Sequence, residues 1–420
     1  MQSLSPHGSR DKLLLALTLF MALNGLLAWG LAVSNFDRFE ACHHGRIYWA
    51  LKKYQKLPAA PDVVLIGSSL LQRITYWGEA DYLNQRVSAL QHNRCTHLED
   101  RLSKALGERV SSYAIAIGGM HASDASVVTT AMLAKKKPAM LVYLIAPRDL
   151  FDNFLVDPAS TETFQLMSRL GDVSDVAMAA RSSLTEKFAF AVESTLTRVL
   201  PFYNYRKELT TICERWWRTE LQEIFQAKMF IARGRPLAAS QLGLTIPEFD
   251  LDGNIGIMPH DVNASTKQEN RLCYLFTYQP FWPKRYYNQL MFLRRMLNFE
   301  VQNGIKPVLV NMPLRSDNLT AMVPHFYDLY FKDVSCVARE CGAEFIDMQD
   351  DKDKAVGFTD ADFCDTVHLT GPGSIKFVDA LADQLERSSL SQIRRFHKSN
   401  SVSQLAQTVA NHKNCRNRCN

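Results

Sequence analysis

Five short, mostly apolar runs constrain what this chain can fold into. They are Pro61–Ile66, Tyr113–Ile117, Met140–Ile145, Pro307–Val310 and Glu344–Ile346. Continuous runs rich in β-branched residues, without polar alternation, are the pattern of strands buried on both faces. Each stops at a turn: Gly67-Ser68-Ser69, Gly118-Gly119, Ala146-Pro147-Arg148-Asp149, Asn311-Met312-Pro313 and Asp347. Helical patterns stand between them at Ala125–Lys137, Tyr287–Gln302 and Pro324–Glu340. A last one, Ser374–Arg387, places Ile375, Val378, Ala382 and Leu385 on one face. Strands alternating with helices predict an α/β fold with a parallel five-stranded sheet. Right-handed crossovers make that a three-layer α/β/α sandwich.

The front of the chain carries a different signal. Leu13–Val33 has no charge, and Asn24 is its only strongly polar side chain. At 1.5 Å per residue such a run spans roughly 30 Å, the hydrocarbon thickness of a bilayer. We read 1–12 as a short leader and 13–33 as a transmembrane helix, with cleavage after Ala28-Trp29-Gly30 or Ala32-Val33-Ser34 as the weaker reading. Arg10 and Lys12 precede the span, while Arg38, Arg46, Lys52 and Lys53 follow it. The charge asymmetry is therefore mixed, and a short leader before a large domain favours a single-pass protein with its domain extracytoplasmic. Nine cysteines would then meet an oxidising space, and their pairing is not readable from sequence.

Residues 34–60 read as a helical neck and 61–388 as the main domain. An insertion at about 150–285 is placed to act as a lid. The polar, basic tail 389–420 reads as disordered. The chain is 47% hydrophobic and 22% charged, with a formal net charge of +5. That composition supports a core without disulfides or metals. No basic stripe interleaved with aromatics appears, so nucleic acid is not an expected partner. Asp250–Asn254 resembles the start of a calcium loop, but Ile255 stands where glycine is needed, so a hairpin turn is the better reading. His92, Cys95 and His97 have metal-like spacing but no fourth ligand nearby and read as a surface helix. No metal or cofactor is expected. Trp216 and Trp217 read as core or interfacial anchors.

Ligands of open parallel sheets bind beyond the carboxyl ends of the strands. There the sequence offers Ser68 and Ser69, Gly118 and Gly119, Arg148 and Asp149, Asn311 and Arg315, and then Asp365-Thr366-Val367-His368. A serine, a glycine turn and an acid–histidine pair form the inventory for acyl transfer. Ser69 would be the nucleophile, His368 its base and Asp365 the orienting acid. Each also has a plain structural reading. Ser69 suits a helix cap, His368 a loop, Gly118 a turn, and Arg148 an ion pair with Asp149 or Asp152. His121, just past the glycine turn, is placed to line the pocket.

Val64-Leu65-Ile66-Gly67-Ser68-Ser69-Leu70 resembles the first block of the SGNH (GDSL-like) hydrolases, whose nucleophilic serine follows the first strand. Ser68 stands where most members have Asp. This is similar to the membrane-anchored branch that includes the D-alanyl-lipoteichoic acid pathway protein. Ile117-Gly118-Gly119 resembles the second block, and Asp365-Thr366-Val367-His368 the fifth. The resemblance spans about 61–150 and 305–388. It implies oxyanion donation by Gly118. The third block departs: Ala146-Pro147-Arg148-Asp149 replaces Gly-x-Asn-Asp, leaving Arg148 or Asn153 as substitutes for the missing Asn donor.

The function expected is serine-dependent O-acyl transfer to, or ester hydrolysis on, a cell-envelope polysaccharide or related polymer. The resemblance implies the substrate class, and with it a membrane-bound O-acyltransferase as a partner. The alternative is a non-catalytic accessory protein on the same fold, which the Asn-to-Arg departure favours. A lipase would need an apolar groove under the insertion.

Overall fold

The computed structural model describes residues 7–34, 46–213 apart from a few isolated positions, 256–260, 270–349 and 357–399. The hairpin turn expected at Asp250–Asn254, Trp216, Trp217, Cys42, Cys415 and Cys419 lie outside the described residues. The chain divides into two compact units. Unit 1 is Met1–Tyr48 with Arg181–Ile246, and unit 2 is Trp49–Ala180 with Pro247–Asn420.

Unit 2 is an α/β sandwich. Its strands are β1 (Val63–Gly67), β2 (Val87–Ser88), β3 (Ser112–Ala116), β4 (Met140–Ile145), β5 (Gly256–Ile257), β6 (Lys306–Asn311) and β7 (Glu344–Asp347). Five form one parallel sheet in the order β3-β1-β4-β6-β7. Every residue of β1, β3 and β4 is buried, which explains why these runs show no alternation. From β1 the chain winds outward to β3, then crosses back to β4, β6 and β7. Helices Thr96–Leu106 and Gly371–Ser388 pack together on one side of the sheet. Helices Ala122–Val128, Pro283–Gln302 and Phe326–Glu340 pack on the other. Reversal of winding at β1 opens a crevice at the carboxyl edge, where Ser69 stands.

Several elements differ from the sequence reading. β2 and β5 form a small antiparallel ribbon that two-residue strands give no periodicity to reveal. Residues 390–399 are helical, not disordered. Ile393 is fully buried, and His397 bridges Asp62 and Glu108 at 2.8 Å each. The neck includes helix Arg46–Lys56, with Leu51 and Tyr54 in the core of unit 2. The insertion is shared between the units: helices Glu162–Leu170 and Ser174–Ala179 lie in unit 2, Leu184–Val199 and Pro201–Asn204 in unit 1. His92 reaches Glu79 at 2.9 Å and His97 reaches Asp379 at 3.0 Å, so that motif does not converge. The six described cysteines are all unbridged.

In unit 1 the apolar run lies in one helix, His7–Val33. Among the described residues this is the one helix long and apolar enough to cross a membrane. Asn24 is satisfied within the unit. It donates to the Phe20 carbonyl at 2.9 Å and accepts from the Phe202 N–H at 3.0 Å.

Glu300, on helix Pro283–Gln302, is fully buried and neither carboxyl oxygen has a partner. Burial pushes its pKa well above the ordinary 4.5. The folded state therefore holds a proton that the unfolded state releases above about pH 4.5. Stability is lost as pH rises from there toward the folded value. Glu300→Gln removes that term. We expect it to raise the melting temperature at pH 8 by several degrees, with a gap that closes by pH 4. Calorimetry at the two pH values checks this; an equal effect at both contradicts it.

Candidate active site

Gly67 ends β1 and the chain turns at once into helix Ser69–Gln72. Ser68 takes the N-cap position with extended backbone, and its side chain makes no cap bond. Ser69 is therefore the first helical residue, not the cap. Its N–H is one of the donors that a helix start leaves without an intrahelical acceptor. Its hydroxyl lies 2.8 Å from His368 Nε2.

The imidazole comes from the turn between Phe363 and Leu369, just before helix Gly371–Ser388. His368 Nδ1 stands 2.6 Å from Asp365 Oδ2. The other oxygen, Oδ1, accepts the backbone N–H groups of Val367 at 2.8 Å and His368 at 2.7 Å. Burial works against the Asp365 charge, but the imidazole and these N–H donors outweigh it and hold its pKa below the ordinary value. With Asp365 ionised and accepting, Nδ1 carries the proton and Nε2 is free to accept from Ser69.

The loop is closed and clamped. Phe363 and Leu369 pair as an antiparallel bridge, and the Cys364 N–H donates to the His368 carbonyl at 2.9 Å. Thr370 then caps the next helix by accepting the Gly373 N–H at 3.1 Å. Gly373 is needed there, since a Cβ would lie 2.2 Å from the Asp362 carbonyl oxygen. From outside, Asn270 Oδ1 accepts both the N–H and the hydroxyl of Thr366, at 3.1 and 2.7 Å. Asn318 donates to the same hydroxyl at 3.2 Å, and the Arg315 N–H to the Thr366 carbonyl at 3.2 Å. The sequence reading noted Arg315 but missed Asn270 and Asn318. A lone Asn carries no local signal of a partner some fifty to a hundred positions away.

The glycine turn sits beside Ser69 by register. Gly67 pairs with Ala116 across β1 and β3, so Ser69 and Gly118 each lie two residues past the last pair. The Ile117 N–H donates to the Gly67 carbonyl at 2.9 Å, continuing the ladder one step. Gly118 is exposed, and Gly119 turns with φ +72°, a left-handed conformation that favours glycine.

The third strand end supplies buried charge. Asp149 accepts the Ala146 N–H at 3.0 Å. Burial, only partly offset by that bond and nearby cations, raises its pKa to about 7. Arg148 donates through Nε to Asp152 at 2.9 Å, and its half-buried guanidinium also lines the space beside Ser69. Of the two readings of Arg148, ion pair and substitute oxyanion donor, the ion pair is the one formed, with Asp152. His121 is buried between Asp124 and Asp152, 3.7 Å from each, beyond hydrogen-bond reach but close enough for ionic attraction. Burial disfavours its charge, yet the two carboxylates prevail and raise its pKa to about 9.

Two expectations are corrected. Asn153 is not brought to the site: its amide donates to the carbonyls of Phe276 and Pro280, at 3.3 and 3.0 Å, and fastens the segment after helix Arg271–Tyr278. Asn311 is likewise structural, donating to Tyr327 and Asp347 between β6 and β7. Among the described residues of the expected lid, helix Arg271–Tyr278 is the part that lines the space beside Ser69. Its Tyr274 and Tyr278, with Leu314 and Val367, wall a space of only about 10 Å³.

The geometry predicts a short, strong hydrogen bond from His368 Nδ1. Its proton is expected far downfield in the NMR spectrum and absent from Asp365→Asn. A wild-type spectrum lacking it at neutral pH contradicts the arrangement.

No family model matches this chain, and no curated protein sequence matches it. Among solved structures, it is similar to a Bacteroides fragilis protein described as an acylhydrolase, at 11% identity and TM-score 0.33. That alignment covers 81% of this chain and 95% of the other. A Parabacteroides merdae protein described as a GDSL-like lipase aligns at 12% identity and TM-score 0.35, covering 80% and 99%. Both likenesses are distant.

Proposed function

We propose that this protein is a serine esterase or O-acyltransferase in which Ser69 is the nucleophile, His368 the general base and Asp365 the orienting acid. One observation carries the reading. A hydroxyl, an imidazole and a carboxylate lie in line at 2.8 and 2.6 Å, although 299 positions separate the first two. A serine hydroxyl is a weak nucleophile until an adjacent base accepts its proton. His368 takes that proton as Ser69 attacks the ester carbonyl, and Asp365 stabilises the imidazolium. The tetrahedral oxyanion is met by the N–H groups of Ser69 and Gly118. Each such donor contributes about 3 kcal/mol to the transition state in comparable sites. His368 then protonates the leaving alkoxide. Water, or the hydroxyl of an acceptor, releases the acyl group by the reverse sequence.

The narrow space beside Ser69 supports a short acyl group, since it has room for roughly one water-sized group. With 13–33 retained as an anchor, the substrate is an ester or hydroxyl of an extracytoplasmic polymer. The resemblance to membrane-anchored acyltransferases supports a membrane-bound O-acyltransferase as the acyl donor's handler. Arg148 favours a second reading, an accessory protein that binds without turnover. It stands where the family's third oxyanion donor belongs and is held by Asp152.

Kinetics on p-nitrophenyl esters separate the readings. Ser69→Ala is expected to lower kcat/KM at least about 10³-fold, and Asp365→Asn by about 10⁴-fold. Acetyl ester is expected to be preferred over hexanoyl ester by about tenfold or more. Unchanged turnover in Ser69→Ala refutes the mechanism. A preference for the longer chain refutes the acyl assignment alone.

A further inference from the structure

A second cavity lies at the amino-terminal end of β1 and β3, the end of the sheet away from Ser69. Its volume is about 530 Å³, within the range of ligand sites. Its walls come from the end of helix Arg46–Lys56, the turn Leu57–Pro61 and the start of β3. Four cations border it, Lys53, Lys56, Arg94 and Arg109, against one carboxylate, Glu99.

That carboxylate is already engaged. It pairs with Arg94 and accepts the N–H and hydroxyl of Ser112 at 2.7 and 2.8 Å. Lys53 donates to the Leu90 carbonyl at 2.8 Å and to Gln91 Oε1 at 2.9 Å, both uncharged acceptors. Among the described residues Lys53, Lys56 and Arg109 have no ion-pair partner. Burial without a counter-charge holds the Lys53 ammonium below its ordinary pKa. The opposing wall, Leu57–Pro61, is apolar in every side chain.

We propose that this cavity binds an anionic lipid, its phosphate head against Lys53, Lys56 and Arg109 and its apolar part against Leu57–Pro61. A free phosphate would use the cations but leave the apolar wall idle. The cavity wall also begins only twenty residues after Val33, so the apolar helix tethers it near a bilayer. The bilayer as the source of that lipid rests on the helix being a retained anchor; the binding site itself does not, and it is independent of the chemistry at Ser69.

The test uses the full chain in detergent micelles doped with dioleoylphosphatidylglycerol or dioleoylphosphatidylcholine, with retained lipid counted by native mass spectrometry. One phosphatidylglycerol per chain is expected, in preference to phosphatidylcholine. Lys56→Gln with Arg109→Gln, both on exposed side chains, is expected to weaken retention about tenfold or more. The melting temperature and the Ser69-dependent rate are expected to stay unchanged. Ala60→Trp, which fills the cavity, is expected to abolish retention. Equal retention of the two lipids, wild-type retention by the double variant, or full displacement by inorganic phosphate overturns the proposal. The intact mass in the same spectra reports the anchor separately: a chain shortened near residue 34 that still retains phosphatidylglycerol refutes the anchor and leaves the site standing.

Discussion

The Asp365 carboxylate is the group on which the candidate site depends. It accepts three N–H donors: the imidazole and two backbone amides of its own loop. Those bonds fix the loop's turn and the ring's orientation together. Removing the carboxylate would loosen both at once. Asn270, Asn318 and Arg315 hold the same loop from outside through Thr366, so the imidazole is positioned by a network rather than by a single contact. In the proposed mechanism a base held this way would lose little entropy as the serine attacks, the pre-organisation that catalysis requires.

The sheet does the rest by simple geometry. Parallel strands all end on one edge, and β1 and β3 end in register there. The register thus sets Ser69 and Gly118 at matching positions beyond the last pair. Beneath them lies a buried group of three carboxylates (Asp124, Asp149, Asp152) and two cations (His121, Arg148). The imbalance is eased because Asp149 is poised to hold a proton near neutral pH. Arg148 and Asp149 both line the space beside Ser69, which ties this charge cluster to the surface where an ester would sit.

Much of this was legible in the sequence because the relevant signals are local. Buried parallel strands announce themselves as apolar runs, and all five sheet strands fall within two residues of their expected bounds at both ends. Asp365 and His368 lie three positions apart, so one turn brings them together. Other features depend on distant partners. Asn153 looked like a substitute donor because it lies near the third block. The carbonyls of Phe276 and Pro280, more than a hundred positions away, claim its amide. The helix over 390–399 carries polar residues that suggested disorder, and its stability comes from Ile393 and His397 docking on the domain. The two-residue ribbon of β2 and β5 is too short for any periodicity. The division of the insertion between two units follows from tertiary contacts that no segment reveals by itself.

In the proposed mechanism His368 makes Ser69 a nucleophile. Treating the purified, folded chain with a fluorophosphonate probe and mapping the modified peptide tests it most directly. One adduct is expected, on Ser69, and it disappears in His368→Ala while the protein remains folded. No adduct, an adduct on another serine, or labelling undiminished without the imidazole would contradict it.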